Sequence, residues 1–372
     1  MKKVVLLLLL CCSIGLQLMA DPPIPPKGFR WVLNQEFSDE FNGSELDQKK
    51  WNNYFPGWEG RQPAMFNPEA VFVKNGNLEI KSGILKKAYK GYKYYGGAVT
   101  SKSKKAHFGY YECKAKASKI QMSTTFWMSN DKVAFEPTDY RGDSYSQELD
   151  IQECVGGGTT DERFRMGMNS NTHFRYVEKR GEREKFISKG LQTKVKSEVS
   201  EEYHIYGAWW KNANEVLFYA DNEFSDTVKV RTDVSEKPFD RPMQINMVTE
   251  TYDWQPITNV NDLEDESINT ARYDWIRSYK LVPISQVSGA VGDLFTENVT
   301  VSTLVKEETL LINCIVKSNS QRKLYIKVKD KDGNLVKEIV KDVYPGFGQD
   351  EIKLQCDGKF CTSKQYFVEA NF

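Results

Sequence analysis

Three acidic residues lie close together in the segment Tyr145–Val155, at Glu148, Asp150 and Glu153. In an extended strand the side chains of residues i and i+2 share a face, so Glu148 and Asp150 point together while the aliphatic residues beside them point into a core. Glu153 lies an odd number of residues from Glu148 and would face the opposite way in a regular strand. One β-bulge near Gln152 would bring all three carboxyl groups onto one face.

Carboxyl groups crowded on one face repel each other as anions, so the pKa of at least one should be raised. Cleavage of a glycosidic bond requires one ionised and one protonated carboxyl group. The spacing alone is a weak signal, because 51 acidic residues in 372 make it expected about once by chance. A solvated strand face therefore stays an alternative, and the inward aliphatic positions favour the catalytic interpretation.

The N-terminus is typical of a secretory signal peptide over residues 1–20. Two lysines precede the apolar run Val4–Leu10, and the small residue Ala20 ends the segment. The run is too short for a permanent transmembrane anchor. Cys11 and Cys12 suggest a lipoprotein anchor as a weaker alternative. We expect a mature protein that is secreted, periplasmic or at the cell surface, with no transmembrane span.

Charge and cysteine usage exclude several classes of protein. Lys+Arg and Asp+Glu balance at 51 each, which argues against a general electrostatic interaction with nucleic acid or an anionic membrane. Cys356 and Cys361 are spaced for a local disulfide, whereas Cys113 and Cys154 fall on strand-like segments and are expected to be buried free thiols. No cluster has zinc-ligand spacing, so metal catalysis is not expected. We expect a monomer.

Nearly every periodic segment has the two-residue period of a β-strand. Val71–Ile80 predicts two strands joined at Asn75-Gly76, and Tyr111–Ala117 places small or apolar residues on one face and charges on the other. Long helical patterns are nearly absent. The sequence therefore predicts an all-β fold, with one large antiparallel sandwich over residues 21–284.

Residues 285–372 are interpreted as a separate small β-sandwich that follows a short, polar, linker-like stretch. Its predicted strands are Leu310–Val316, Leu324–Val328, Leu335–Val340 and Tyr366–Val368. No residue in this region has a pattern that carries chemistry. Carbohydrate binding, spacing and docking are all open roles for it.

Aromatic residues make up 13% of the chain, and their distribution points to a sugar ligand. Exposed indoles stack on sugar rings while neighbouring polar groups bind the hydroxyls. Trp58 lies in the Gly/Pro-rich loop Pro56–Pro63, where a core role is difficult to defend. Trp209 or Trp210, and Trp275, are expected instead to fill the sandwich core.

The acidic segment resembles the catalytic strand of glycoside hydrolase family 16, whose fold is a bent β-jelly roll with a groove across its concave face. Phe37–Gly43 resembles the family's opening strand and Thr125–Met128 the strand before the catalytic one. Tyr273–Arg277 resembles a later strand. The likeness covers about residues 29–282 in the expected order, so the resemblance implies a sugar hydrolase with this jelly-roll fold.

The mechanism that the resemblance implies is endo-hydrolysis of a β-1,4 galactosidic linkage with net retention. Glu148 would attack the anomeric carbon as the nucleophile. Glu153 would protonate the departing oxygen and then deprotonate the incoming water, while Asp150 would orient Glu148. Trp127 would stack on the sugar at the cleavage point. Retention requires the two Glu carboxyls about 5–5.5 Å apart.

Within the family the chain is most similar to the enzymes that cut red-algal galactans, the β-agarases and β-porphyranases. Trp58 and Arg61 match the sulfate pocket of porphyranases, although agarases share this pair. Glu250 and Trp254 fit the same group. The basic stretch Arg175–Lys185 stands where agarases have an aromatic insertion. Arginine suits bidentate anion recognition, which favours sulfated porphyran over agarose.

Three further positions have weaker assignments. His173 would bind a hydroxyl or a sulfate, or merely cap a loop, and Arg141 is either a second anion contact or a plain surface arginine. Asp274 and the backbone near Gly76 match positions commonly used for a structural calcium ion in the family, but an exposed strand acid fits equally well. No cofactor is expected for catalysis.

Three alternatives to a porphyranase follow from the same residues. They are a β-agarase, a β-glucanase and a non-catalytic galactan-binding protein on the same fold. Binding alone has no use for crowded acids, so Glu148, Asp150 and Glu153 argue against the last of these.

Overall fold

The computed structural model describes residues 21–135, 142–158, 161–287, 296–306, 309–355 and 366–372. The predicted signal peptide, with its lipoprotein alternative, lies outside these ranges, as do Arg141 and the proposed Cys356–Cys361 disulfide. Within the ranges described, no helix is both long and apolar enough to cross a membrane.

The chain is almost entirely β-structure, which confirms the all-β prediction. The strands of the large domain are Phe29–Leu33 (β1), Trp51–Asn52 (β2), Ala64–Phe66 (β3), Val71–Lys74 (β4), Asn77–Lys81 (β5), Gly83–Tyr89 (β6), Tyr92–Ser101 (β7), Gly109–Lys116 (β8), Ser123–Ser129 (β9), Val133–Ala134 (β10), Ser144–Val155 (β11), Gly167–Val177 (β12), Lys185–Lys194 (β13), His204–Asn212 (β14), Glu215–Ala220 (β15), Glu223–Lys229 (β16), Gln244–Thr249 (β17) and Thr270–Pro283 (β18). Those of the tail are Asn298–Lys306 (β19), Thr309–Ser318 (β20), Arg322–Asp330 (β21), Leu335–Val343 (β22), Gly346–Gln355 (β23) and Tyr366–Asn371 (β24). In the part of the chain that the structure describes, the helical segments are the α-helix Glu162–Arg165 (α1) and the 3₁₀ turns Gln35–Phe37, Pro68–Ala70, Val260–Leu263 and Ile284–Gln286.

Two large, mainly antiparallel sheets form the sandwich. One has the order β16-β15-β14-β8-β18-β1-β23-β20-β19 and the other β13-β12-β11-β9-β17-β7-β2. The core between them takes alternate residues from each sheet, among them Leu149 and Ile151 from β11 and Cys113 and Ile276 from the opposing sheet. The residues that alternate with Leu149 and Ile151 must therefore face away from the core.

The β4–β5 hairpin forms as the sequence predicts. Asn75 and Gly76 both have positive φ angles, 54° and 73°, and the strands pair up to the turn at Lys74 and Asn77. Two adjacent left-handed residues are what a two-residue hairpin turn requires, and Asn-Gly adopts them at low cost.

Residues that were expected to fill the core are buried. Trp209, Trp210 and Trp275 are each at most 9% exposed. Cys113 and Cys154 are buried free thiols. Trp210 lies in the core between the sheets and Trp209 in the cluster around Trp31, whereas Trp275 belongs to neither and packs against Arg277.

The tail has a hydrophobic core of its own between the β19-β20-β23 strands and the three-stranded sheet β22-β21-β24. It is nevertheless joined to the large domain through hydrogen-bonded strands, because Trp31 on β1 pairs with Phe347 on β23. The two rings belong to one aromatic cluster that also includes Tyr110 and Tyr279. The outer sheet of the jelly roll therefore continues into the tail.

A buried ion pair lies at this junction. Arg30 on β1 is fully buried and donates to Asp350 on β23 over 2.5 Å. The Asp350 side chain is 7% exposed and also accepts from Lys341 over 2.9 Å. Removing one member of a buried pair leaves an uncompensated charge, which is far more costly than breaking an exposed pair.

We expect Asp350→Ala to destabilise the protein by about 3–5 kcal/mol, because Arg30 would be left buried and unpaired. The neighbouring Glu351→Ala is the matched control. It breaks an ion pair with the largely exposed Lys27 and should cost less than about 1 kcal/mol. Urea unfolding followed by tryptophan fluorescence measures both. Equal effects of the two variants would show that the buried pair does not stabilise the junction.

Candidate active site

The predicted bulge is present in β11. Glu148 and Asp150 pair with Ser129 and Trp127 on β9, and the register then shifts between Asp150 and Gln152. The pairing with β12 also shifts between Asp150 and Glu153. Two successive residues therefore face the core, and Glu153 returns to the side of the other two acids. The structure therefore confirms the β-bulge that the sequence predicts near Gln152.

All three acids open into one cleft of about 270 Å³ on the side of the second sheet that faces away from the core. Its lining residues are Trp58, Arg61, Thr125, Trp127, Glu148, Asp150, Glu153, Arg175 and Glu250. Most of the predicted site residues are thus brought together although they come from five separate segments of the chain.

Asp150 is the most enclosed of the three acids, with a side chain 6% exposed. Burial, and then the charges of Glu148 and Glu153, raise its pKa well above the usual range. His173 approaches it, with Nε2 at 3.2 Å from the carboxylate. Burial lowers the pKa of His173, so the imidazole is neutral at pH 7. A buried carboxyl group with a raised pKa, in contact with His173, suits an orienting role better than a nucleophilic one.

Glu148 lies in different surroundings. Arg175 donates from Nη2 to Glu148 Oε1 over 3.0 Å, whereas His173 Nε2 lies 3.9 Å from the same oxygen. A guanidinium contact stabilises the ionised carboxylate. Glu148 is therefore the acid of the three that a guanidinium contacts directly.

Glu153 is held nearer to its neutral form. Burial raises its pKa, as does the charge of Glu148, and this outweighs a hydrogen bond that favours the anion. That bond comes from the hydroxyl of Tyr252, which donates to Glu153 Oε1 over 2.7 Å. A carboxyl group with a raised pKa is suited to donate a proton near neutral pH.

Arg61 and Glu250 form an ion pair at the wall of the cleft, with Arg61 Nε donating to Glu250 Oε2 over 2.9 Å. Burial raises the pKa of Glu250 to about 7, although Arg61 opposes this shift. The guanidinium also lies over the ring of Tyr252, 5.5 Å from its centroid. Because Arg61 donates to Glu250 through Nε, its two terminal nitrogens stay available to a further acceptor.

The aromatic residues divide into two groups. Trp58 is half-buried and meets Trp127 edge-on at 6.5 Å, and both indoles line the cleft. Trp254 is 51% exposed and stacks on Tyr252 at 5.1 Å, but it is not part of the cleft lining. Trp58 and Trp127 therefore lie with the acids in the cleft. Trp254 packs on the ring of Tyr252 outside the cleft lining.

Tyr252 was not assigned a role from the sequence, and Arg175 was considered only as part of the basic stretch Arg175–Lys185 and not as a partner of Glu148. Tyr252 alternates with Glu250 and Trp254, and this period-two spacing was the available signal. Arg175 stands two residues after His173 on β12 and so shares its face. Both contacts depend on long-range pairing, because Tyr252 lies 99 residues from the Glu153 it touches.

Asp274, where the sequence suggested a structural calcium ion, is paired with a lysine. Its carboxylate accepts from the ammonium group of Lys114 over 2.7 Å. A calcium ion needs several oxygen ligands, and here a cationic side chain already occupies the only carboxylate that the sequence suggested.

Comparison with known proteins supports the same picture. The family described as "Beta-porphyranase A-D, GH16 domain" matches residues 31–281, and a "Porphyranase-associated domain" matches residues 296–372. β-Porphyranase E of Zobellia galactanivorans is 44% identical over 70% of this chain and 92% of its own length. β-Porphyranase D of the same organism is 36% identical over 94% of this chain and 86% of its own length. The crystal structure of a β-porphyranase from the human gut bacterium Bacteroides plebeius is 40% identical, with a TM-score of 0.66, over 70% of this chain and 96% of that one.

Proposed function

The chain belongs to the GH16 family of β-porphyranase domains and is a glycoside hydrolase, and we propose that it cuts porphyran, a sulfated red-algal galactan. The reaction is endo-hydrolysis of β-1,4 linkages with retention of configuration. The observation that carries this proposal is the bulged strand β11, which presents Glu148, Asp150 and Glu153 together in a cleft walled by Trp58 and Arg61.

The surroundings of each acid support a distinct role. Glu148, paired with Arg175, attacks the anomeric carbon and forms a glycosyl-enzyme. Glu153, with its raised pKa, gives a proton to the departing oxygen and later takes one from water. Asp150 lies between them in the strand and hydrogen-bonds Glu148, so that this carboxylate keeps its orientation. Trp127, opposite Asp150 in the sheet, offers a face on which the sugar at the cleavage point stacks.

Tyr252→Phe is expected to move the basic limb of the kcat/KM profile to higher pH. The hydroxyl of Tyr252 stabilises the ionised form of Glu153, so its loss raises the pKa of Glu153 further. Glu153 must be protonated to act as an acid, so activity is lost as the pH rises through that pKa. The maximum should fall by about fivefold, since one hydrogen bond is worth about 1 kcal/mol. A pH–rate series on porphyran measures the limb.

Tyr325→Phe is the matched control for this measurement, because Tyr325 is an exposed side chain of the tail. Its profile should coincide with that of the wild type. A basic limb that stays in place in Tyr252→Phe would mean that Glu153 is not the group whose protonation limits the rate at high pH.

Substrate choice rests on the cationic and aromatic walls of the cleft. Porphyran carries a sulfate ester where agarose has an anhydro bridge, and a guanidinium binds such an anion through paired hydrogen bonds. Arg61 beside Trp58 supplies this combination. His173 contacts Asp150 rather than the open cleft, so we assign it to positioning of the acids and not to sulfate binding.

The test is incubation of the purified protein with porphyran, agarose and laminarin, followed by sizing of the products and a reducing-end assay. We expect a ladder of oligosaccharides from porphyran and much less product from the other two. A ladder from agarose alone would make the protein a β-agarase, and one from laminarin a β-glucanase. Binding without new reducing ends would make it a galactan-binding protein.

Several accessory properties belong to the same proposal. Enzymes of this family need no cofactor for catalysis. Structural calcium at Asp274 stays a sequence-based prediction, and the Lys114 contact argues against it. Secretion after removal of residues 1–20, a monomeric state, and a division into residues 21–284 and 285–372 are likewise proposed.

A further inference from the structure

Arg175 has a second capacity beside its contact with Glu148. Its side chain is 35% exposed and lines the cleft. It donates to Glu148 through Nη2, and among the described residues no hydrogen bond is found from Nε or Nη1. A guanidinium carries five N–H donors in a fixed plane, so it can hold one carboxylate and still present an edge to another anion.

An exposed aromatic ring lies next to this guanidinium. Phe186 pairs with Arg175 across β12 and β13, and Arg175 lies over its ring, 5.8 Å from the centroid. Phe186 is 60% exposed. Exposure of a phenyl group to water is unfavourable, and its position opposite Arg175 places this ring next to the cleft. The pair repeats, on another part of the wall, the combination of an arginine with an aromatic ring seen at Arg61.

The two arginines lie on opposite sides of the catalytic strand. In the sheet, β12 is the neighbour of β11 on one side, whereas β9 and then β17 follow on the other. Arg175 belongs to β12. Arg61 is held by Glu250, which comes directly after β17 and bonds through its backbone to Ser123 of β9. A chain that crosses β11 would therefore pass one guanidinium before the acids and the other after them.

We propose that Arg175 is a specificity-determining residue that binds a sulfate ester of the sugar on its side of the cleaved bond while keeping its contact with Glu148. The inference rests on the proposed function, in which the galactan alternates galactose with sulfated galactose. In such a chain the galactose at the cleavage point has a sulfated neighbour on each side. Two separate cations bracketing the acids match that charge pattern, which a single sulfate pocket at Arg61 would not.

The consequence is a link between substrate charge and the nucleophile. A sulfate on the free edge of Arg175 fixes the guanidinium, and the guanidinium in turn fixes Glu148. An unsulfated chain fills the same cleft without this additional anchor. Arg175 therefore discriminates between substrates in addition to stabilising the ionised Glu148.

The experiment measures binding, so that it does not depend on turnover of the poorer substrate. Arg175→Gln and Arg175→Lys are each placed in a Glu153→Gln parent. The Glu153→Gln substitution by itself leaves the contact between Arg175 and Glu148 intact. Calorimetry then gives the Kd of a porphyran oligosaccharide and of the same oligosaccharide after removal of its sulfates. We expect Arg175→Gln to weaken binding of the sulfated chain about 10- to 100-fold and of the desulfated chain less than about threefold. Arg175→Lys should restore part of the loss, because it keeps the charge but not the planar fork.

Arg231→Gln is the matched control. Arg231 is an exposed arginine paired with Asp233 and does not line the cleft, so both affinities should stay at the parent value. Equal weakening for the two oligosaccharides in Arg175→Gln would overturn the inference and leave Arg175 as a partner of Glu148 only. Cleavage of porphyran by the unmodified protein is measured alongside. Its absence would reject the proposed function, whereas cleavage combined with equal weakening rejects only the role of Arg175.

Discussion

Glu148→Gln is expected to lower kcat on porphyran by about 10⁴- to 10⁶-fold, the range seen when a covalent nucleophile is removed. The amide is nearly isosteric with the carboxylate but cannot form the glycosyl-enzyme. Oligosaccharide binding should persist within about tenfold, because the remaining cleft residues are unchanged. Reducing-end assays give the rate, and calorimetry with a porphyran oligosaccharide gives the affinity.

Folding must be checked beside this variant, since the substitution also removes the carboxylate that Arg175 contacts. We expect the midpoint of thermal unfolding to shift by only a few degrees, because Arg175 is partly exposed and can be solvated. Glu266→Gln serves as the control, being an exposed acid that does not line the cleft, and should keep full activity. Turnover retained in Glu148→Gln at more than about one hundredth of the wild-type rate would remove Glu148 from the nucleophile role.

The arrangement of the acids could be predicted from the sequence because side chains alternate between the two faces of a β-strand. Leu149 and Ile151 fix which face is buried, and the odd spacing of Glu153 then requires a bulge for the three acids to act together. The register shift appears where that argument puts it. Local periodicity is enough for such a prediction, since both the constraint and the irregularity lie within one strand.

Contacts between distant segments could not be predicted in this way. The roles of Tyr252 and Arg175 depend on which loop and which strand meet β11, and residue types give no information about that pairing. The tail illustrates the same limit. β23 contains Gly346 and Gly348 and has little alternation in its first half, so its strand pattern is weak. Its pairing with β1 joins residues more than three hundred positions apart.

The tail junction and the cleft place different demands on buried charge. At the junction, the buried carboxylate of Asp350 accepts from both Arg30 and Lys341, so its charge is compensated. In the cleft, burial raises the pKa values of Asp150 and Glu153, and within the ranges that the structure describes neither carboxylate is paired with a lysine or an arginine. Crowded, buried carboxyl groups are costly for stability, and the same interactions keep their pKa values raised for proton transfer.

Glu153→Ala is expected to lower kcat/KM on porphyran by about 10²- to 10⁴-fold, the usual contribution of a general acid. The loss should nearly disappear in the first chemical step when the leaving group is a dinitrophenolate, because such a group departs without a proton. The second step still lacks its base, so the glycosyl-enzyme accumulates. Stopped-flow absorbance should therefore show a rapid burst of dinitrophenolate followed by slow turnover.

Added azide distinguishes the two glutamates by the stereochemistry of the product. In Glu153→Ala, azide needs no base and attacks the glycosyl-enzyme from the face that water would use, so two inversions give a β-glycosyl azide. In Glu148→Ala, azide replaces the missing nucleophile and attacks the substrate itself, so one inversion gives an α-glycosyl azide. Proton NMR of the anomeric centre identifies each product. Removal of the nucleophile leaves a single inversion and therefore gives an α-azide. An α-azide from Glu153→Ala would thus make Glu153 the nucleophile and Glu148 the acid/base.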